Sequence, residues 1–152
     1  DVWFTGCKWR CQQTGTHTKP RWNNTDWAMI EGNPTFEVNF EEMETLYDFD
    51  NFSAPLTVVA TLYGQNITDD ILDRDVAWTR YTENAAGVQR VASDNVWAEQ
   101  RGNAGKSIVI VKSDLGIDSE GVPKKIVFTA TVTLRDGMGA ELDQQSASVD
   151  IN

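Results

Sequence analysis

An indole ring in a polar loop is the feature of this chain best suited to binding chemistry. Trp22 lies in the run Lys19-Pro20-Arg21-Trp22-Asn23-Asn24. The flat face of such a ring can stack on the apolar face of a sugar, and Arg21, Asn23 and Asn24 can exchange hydrogen bonds with its hydroxyls. Trp3 offers a second ring of the same kind. The competing reading is that Trp22 folds back over a small apolar cluster with few other core residues. Both readings stand at this stage.

Catalytic and metal chemistry find less support. His17 is the only histidine. A catalytic imidazole needs a nucleophile and an orienting carboxylate, and no Ser-x-Gly elbow accompanies it, so a solvated loop residue is expected. Asp69, Asp70, Asp73 and Asp75 fall within seven residues. Their oxygens suit calcium, but the EF-hand spacing and its glycine are missing. A solvated acidic loop is expected there, and a weaker one at Asp118 and Glu120. Glu41, Glu42 and Glu44 form a third acidic run, yet nothing places two carboxylates across a cleft as a glycosidase needs. Gly105-Lys106-Ser107 lacks the full phosphate-loop spacing and precedes a strand, so it reads as a turn.

Cys7 and Cys11 are four apart, roughly 13 Å along an extended strand, too far for a disulfide without a turn. With a single histidine they make no four-ligand zinc set. Two reduced, half-buried thiols are expected, and neither a metal nor a cofactor. Asn23, Asn51 and Asn66 begin formal glycosylation sequons, a motif short enough to arise by chance.

The 152 residues carry 13 basic and 23 acidic side chains, a net charge of −10. An acidic surface repels nucleic-acid phosphate and anionic lipid, so neither partner is expected. No apolar run approaches the length of a bilayer span. The start, Asp1-Val2-Trp3-Phe4, lacks an initiator methionine and a leader pattern, and reads as the interior of a longer parent.

Composition divides the chain near Pro34. Residues 1–33 hold four of the six tryptophans (Trp3, Trp9, Trp22, Trp27) and both cysteines. Short strands are expected at Val2–Phe4, Lys8–Gln12 and Trp27–Glu31, with Trp9 and Trp27 as core. Residues 35–152 alternate apolar and polar positions. The alternation predicts strands at Phe36–Phe40, Leu56–Tyr63, Val76–Tyr81, Ile108–Lys112, Ile126–Leu134 and Gln145–Ile151. It puts Val76, Trp78 and Arg80 on one face, and turns Ala147, Val149 and Ile151 inward. Ser93–Gln100 predicts one or two helical turns capped by Ser93 or Asp94, with Trp97 in the core beneath. Ser113–Gly116 and Asp136–Gly139 read as turns. Strands at this spacing without alternating helices predict an all-β chain: an immunoglobulin-like antiparallel β-sandwich over 35–152, preceded by a small Trp-rich three-stranded β motif over 1–33.

Two resemblances extend this reading. Trp78 stands where an immunoglobulin-like core has its central plug, while Ala60 and Ala130 stand where the disulfide would be. The runs DVAWTRYTENAAGVQRVASDNVW, GKSIVIVKSDLG and IVFTATVTLRDG resemble immunoglobulin-like domains of Bacteroides prophage and phage tail structural proteins, over about residues 55–135. Val2, Phe4, Gly6, Trp9, Cys11, Pro20 and Trp27 follow the order of the second half of a chitin-binding type 3 (carbohydrate-binding family 5/12) module. Gln13-Thr14 replaces that family's sugar-stacking aromatic pair, so the resemblance carries the fold and not the chitin site.

Together these imply a non-enzymatic structural or interaction module of a phage or prophage tail protein, located in the virion. Its partners would be other domains or subunits of the parent, copies of itself among them. The alternatives are a carbohydrate-binding module reading a cell-surface glycan through Trp22, and a bacterial surface adhesin domain.

Overall fold

The computed structural model describes residues 1–4, 7–15, 19, 26–31, 35–41, 49–136 and 138–151. The first strands are β1 (Val2–Phe4), β2 (Cys7–Cys11) and β3 (Trp27–Glu31), an antiparallel sheet in the order β1-β2-β3. Cys7 and Trp9 are buried on one face, and the Trp9 indole N–H donates to the Phe4 carbonyl at 3.1 Å. Trp27, expected in the core, is half-buried at the start of β3.

The thiols differ from the half-buried pair expected. Both are free, but Cys7 is sealed and Cys11 is exposed, because they sit at opposite ends of β2. Burial pushes the Cys7 thiol above its ordinary pKa. Since the thiolate is the reactive form, a maleimide should modify Cys11 in the native protein and reach Cys7 only on unfolding. Equal native labelling of the two, read by mass spectrometry, would contradict this packing.

Residues from Phe36 onward build the larger unit. Its elements are β4 (Phe36–Phe40), β5 (Ser53–Leu62), β6 (Gln65–Asn66), β7 (Val76–Glu83), helix α1 (Val91–Arg101), β8 (Ser107–Val111), β9 (Lys125–Arg135) and β10 (Glu141–Asp150). Strict alternation makes β5 and β9 half-buried strands: every second residue, from Ala54 to Leu62 and from Ile126 to Leu134, faces inward. One sheet is β7-β9-β10, all antiparallel. The other is built on β5. Val58 N–H donates to the Lys106 carbonyl and Ala60 C=O accepts from Ile67, so β8 and the β6 region follow one another along one edge. β4 pairs with the other edge of β5, from Phe36↔Leu62 to Phe40↔Val58.

Strands β4, β5 and β8 thus take the A, B and E places of an immunoglobulin-like sandwich, and β7, β9 and β10 the C, F and G places. At one side of the sandwich β4 and β10 run close together. At the other, where a strand D would lie, the chain forms α1.

The core lies between the sheets. Trp78 is 1% exposed, stacks on Phe40 with centroids 5.7 Å apart, and opposes Ala130 across the β7/β9 ladder. Ala60 and Ala130, on the B- and F-like strands, are fully buried. Trp97 descends from α1 and packs on Phe128 at 5.2 Å, as its sequence position suggests. Ala147, Val149 and Ile151 pack against this core while half-buried.

Strand ends extend past the expected limits because backbone pairing continues where apolar alternation stops. β10 begins at Glu141, inside a polar run that β9 holds by the ladder and by cross-strand side-chain bonds such as Thr131–Ser146 at 2.9 Å. The Leu56–Tyr63 strand ends one residue early, because Tyr63 takes φ +52 to turn into β6.

Helix α1 departs most from expectation. It spans eleven residues, with Arg90 at the cap position and no side-chain cap bond. Arg90 N–H is already tied to the Thr82 carbonyl at 2.9 Å, which anchors the chain on β7 and starts the helix early. Asp94 is not a cap. It is interior to the helix and buried, and Trp97 is its only buried companion on α1.

Candidate functional site

The buried charges of the described residues gather where α1 meets both sheets. Arg80, on the buried face of β7 beside Trp78, is paired with Asp94 at 2.9 Å, both side chains under 5% exposed. Its remaining guanidinium nitrogens donate to the Ser93 hydroxyl at 2.8 Å and the Asp114 carbonyl at 3.0 Å. Asp94 also accepts the Thr82 backbone N–H at 2.9 Å and the Thr82 hydroxyl at 2.8 Å. Asp114 accepts the Trp97 indole N–H at 2.9 Å, the Val111 backbone N–H at 2.9 Å and two bonds from Arg101. Arg101 further donates to the Val109 carbonyl at 2.7 Å. Arg90 pairs with Asp118 at 2.9 Å and donates to the Gly116 carbonyl.

These contacts have one geometric meaning. Thr82 lies on the outer edge of β7, and Val109 and Val111 on the outer edge of β8. An unpaired sheet edge is a template for further strands. Here Asp94, Asp114 and Arg101 occupy backbone groups that an incoming strand would use. The Trp78 N–H, on the same β7 edge, is taken by the Gly102 carbonyl at 3.0 Å. Gly102 is required there, since a Cβ would meet the Ala98 and Trp78 carbonyl oxygens at 2.3 and 2.9 Å. Gly105, at φ +89 and against Asp73, turns its carbonyl onto the Trp78 indole N–H at 2.6 Å. The Gly105-Lys106 stretch is a connection leading into β8 at Ser107, and its Gly105 carbonyl satisfies the buried indole.

The second candidate is the outer face of the small sheet. Directly opposed residues of antiparallel strands share a face. The pairs Trp3↔Lys8, Lys8↔Glu31 and Arg10↔Ala28 therefore put Trp3, Lys8, Arg10, Ala28 and Glu31 together, away from Cys7 and Trp9. Trp3 is 62% exposed. Around it lie two ion pairs, Lys8–Glu31 at 3.9 Å and Arg10–Asp1 at 3.0 Å, the latter held by both guanidinium and carboxylate forks. An open indole among neutralised donors and acceptors can stack a sugar ring and bond its hydroxyls. Of the five residues singled out for glycan contact, Trp3 is thus placed on an open face. Arg21, Trp22, Asn23 and Asn24 lie outside the described residues, as does His17.

The third candidate is a groove of about 450 Å³ between the segment preceding β7 and the turn joining β9 to β10. In an immunoglobulin variable domain these two connections, B–C and F–G, carry antigen-binding loops. Here the acidic segment is less solvated than its sequence implies. Asp75 is tied to Arg135 at 2.8 Å, and Asp73 accepts the Lys106 N–H at 3.1 Å. The Asp75 carboxylate pushes the Arg135 guanidinium further above its ordinary pKa. No group of acidic, histidine or cysteine side chains among the described residues is arranged to hold a metal ion. Asp118, expected in a solvated loop, is engaged by Arg90. Glu42 and Glu44 lie outside the described residues, and Glu41 is exposed.

Arg80 was the legible signal of the buried cluster. An arginine on a buried strand face demands an acid, since an unpaired buried charge is prohibitive. Asp94 and Asp114 carried no such mark, because their sequence surroundings read as a cap and a turn. The groove residues Leu72, Arg74 and Met138 carried no sequence signal.

Fold and site define an all-β protein: an immunoglobulin-like sandwich with one edge-sealing helix, and a small three-stranded sheet before it. No protein-family model, no curated protein and no solved structure matches the chain.

Proposed function

We propose that this chain is a non-enzymatic structural and interaction module of a phage or prophage tail protein, joined to other domains or subunits of its parent. The observation that carries the reading is the edge seal. The buried acids and arginines are engaged in capping β7 and β8, which leaves a sandwich protected at that side against uncontrolled strand addition. A domain repeated or strung among others needs that protection. The tail context rests on the residue pattern of 55–135, and the virion location follows from it. The net charge of −10 argues against nucleic acid as a partner.

A second reading is favoured by the Trp3 face: a carbohydrate-binding module for a cell-surface glycan. A glycan array separates the two. The expected result is a blank array with a folded protein. Specific binding abolished by Trp3→Ala, with the melting temperature unchanged, would replace the structural reading with the glycan one.

A further inference from the structure

The two edges of the β7-β9-β10 sheet are unlike. Helix α1 closes the β7 edge, whereas the β10 edge is open. Ile151 N–H donates to the Ile126 carbonyl at 2.9 Å, and the same register runs back through Val149↔Phe128 and Ala147↔Ala130 to Gln145↔Val132. Antiparallel pairs alternate between bonded and unbonded. Val149, Ala147 and Gln145 therefore turn their backbone groups to β9, while Ser148, Ser146 and Gln144 turn theirs outward. The Gln144 N–H is taken by the Asp143 carboxylate at 2.7 Å. Among the described residues, the backbone N–H groups of Ser146 and Ser148 and the carbonyls of Gln144, Ser146 and Ser148 have no partner. β4 passes close by, but it belongs to the β5 sheet and no backbone bond joins it to β10.

Proteins blunt a free edge with lysine, proline, a bulge or a covering element. The run Gln144-Gln145-Ser146-Ala147-Ser148-Val149 has no charge, no proline and no glycine. The register shift of this strand lies before it, between Glu141 and Asp143. Ser146 and Ser148 are exposed, and their hydroxyls bond those of Thr131 and Thr129 at 2.9 and 2.8 Å. These bonds hold the strand extended along β9, so little further ordering is needed before another strand pairs with it.

We propose that two copies of this chain join edge to edge along β10, antiparallel about Ser146, to make one sheet in the order β7-β9-β10-β10-β9-β7. In that register each Ser146 N–H donates to the Ser146 carbonyl of the other copy, and each Ser148 N–H to the Gln144 carbonyl of the other copy. The side chains match as well. Gln144 stands opposite Ser148, Gln145 opposite Ala147 and Asp143 opposite Val149, so no acid faces an acid across the seam, where like charges would be destabilising. A two-fold contact must be complementary to itself. The uncharged, self-matching run is the ground for a second copy as the occupant rather than an unrelated basic or acidic strand. The inference rests on reading the chain as an interaction module, and gives that module a surface for its own kind.

Pairing of one strand buries less area than a stable dimer needs, so a dissociation constant of about 1 mM is expected. Added salt should tighten it by screening two chains of net charge −10. Sedimentation equilibrium over that concentration range measures the association. Amide NMR of the ¹⁵N-labelled protein places it: raising the concentration should shift the amides of residues 143–149 and leave the small sheet unmoved. Ser146→Pro deletes both central bonds at a position whose N–H points away from β9, and should abolish association. Ser146→Lys keeps those N–H groups and sets two ammonium groups face to face, so it should weaken association about threefold to fivefold. The position is exposed, so the lysine variant stays folded even if the proline variant does not. A monomer throughout, a dimer indifferent to Ser146→Lys, or shifts centred on the Trp3 face would overturn pairing through β10. Each of these leaves the module reading intact, because the module reading falls only on the glycan array.

Discussion

Trp78→Ala is expected to cost about 3–5 kcal/mol of folding stability, the range for large aromatic side chains removed from a packed core. Three losses coincide at this position. The ring is enclosed between the sheets and stacked on Phe40. Its neighbour across the ladder, Ala130, is too small to fill the space. Its indole N–H is the donor for the Gly105 carbonyl, which would be left buried and unpaired. Trp78→Phe separates these effects. It keeps most of the ring and loses the donor, so about 1–3 kcal/mol is expected. Urea unfolding followed by circular dichroism measures both. A midpoint unchanged in Trp78→Ala would mean that the sandwich core is not centred on this ring.

The second large effect is expected at Asp94. Asp94→Ala leaves the Arg80 guanidinium charged in a site where its side chain is 4% exposed, and strips the Thr82 N–H and hydroxyl of their acceptor. Breaking one partner out of a buried pair costs about 3–5 kcal/mol, whereas replacing both by apolar side chains is often near neutral. The double variant Arg80→Met with Asp94→Leu should therefore be more stable than Asp94→Ala alone. The edge function makes a separate demand. In Asp94→Ala the Thr82 amide should exchange with solvent faster than amides of the β9 centre, once corrected for global stability. If Asp94→Ala and the double variant unfold at the same midpoint as wild type, the pair is not part of the fold's foundation, and the edge-seal argument fails with it.

How much of this was legible beforehand depends on the kind of force involved. β4, β5, β7 and β9 announce themselves through alternation, because burying one face of a strand is a local demand on every second residue. Trp97 was readable as core from its residue type alone. The helix itself was under-read. Val91 and Val96 are exposed and only Asp94 and Trp97 are buried, so α1 lacks the apolar stripe by which helices are recognised. It is held by polar bonds to elements on both sides, Asp94 to Thr82, Trp97 to Asp114 and Arg101 to Val109, which residue type and local period do not announce.

The binding surfaces divide the same way. Trp3 was named only as a second ring on the expected Val2–Phe4 strand, and pairing in the small sheet put Lys8, Arg10 and Glu31 beside it. The groove was not legible, since Leu72 and Met138 are 66 residues apart in the chain and line one groove only because β7 and β9 are neighbours.

By itself the sequence determined the all-β character, the inward face of most strands, the place of Trp78 in the core and the acidic surface. Each of these follows from residue type and short-range period, which act within a few positions of chain. Only the tertiary structure decided that Arg80, Asp94 and Asp114 form one buried network, that this network closes two strand edges, and that loops far apart in sequence enclose a groove around Arg74. Those outcomes depend on which backbone groups the sheet order leaves unpaired, and that is a property of the assembled sandwich rather than of any stretch within it.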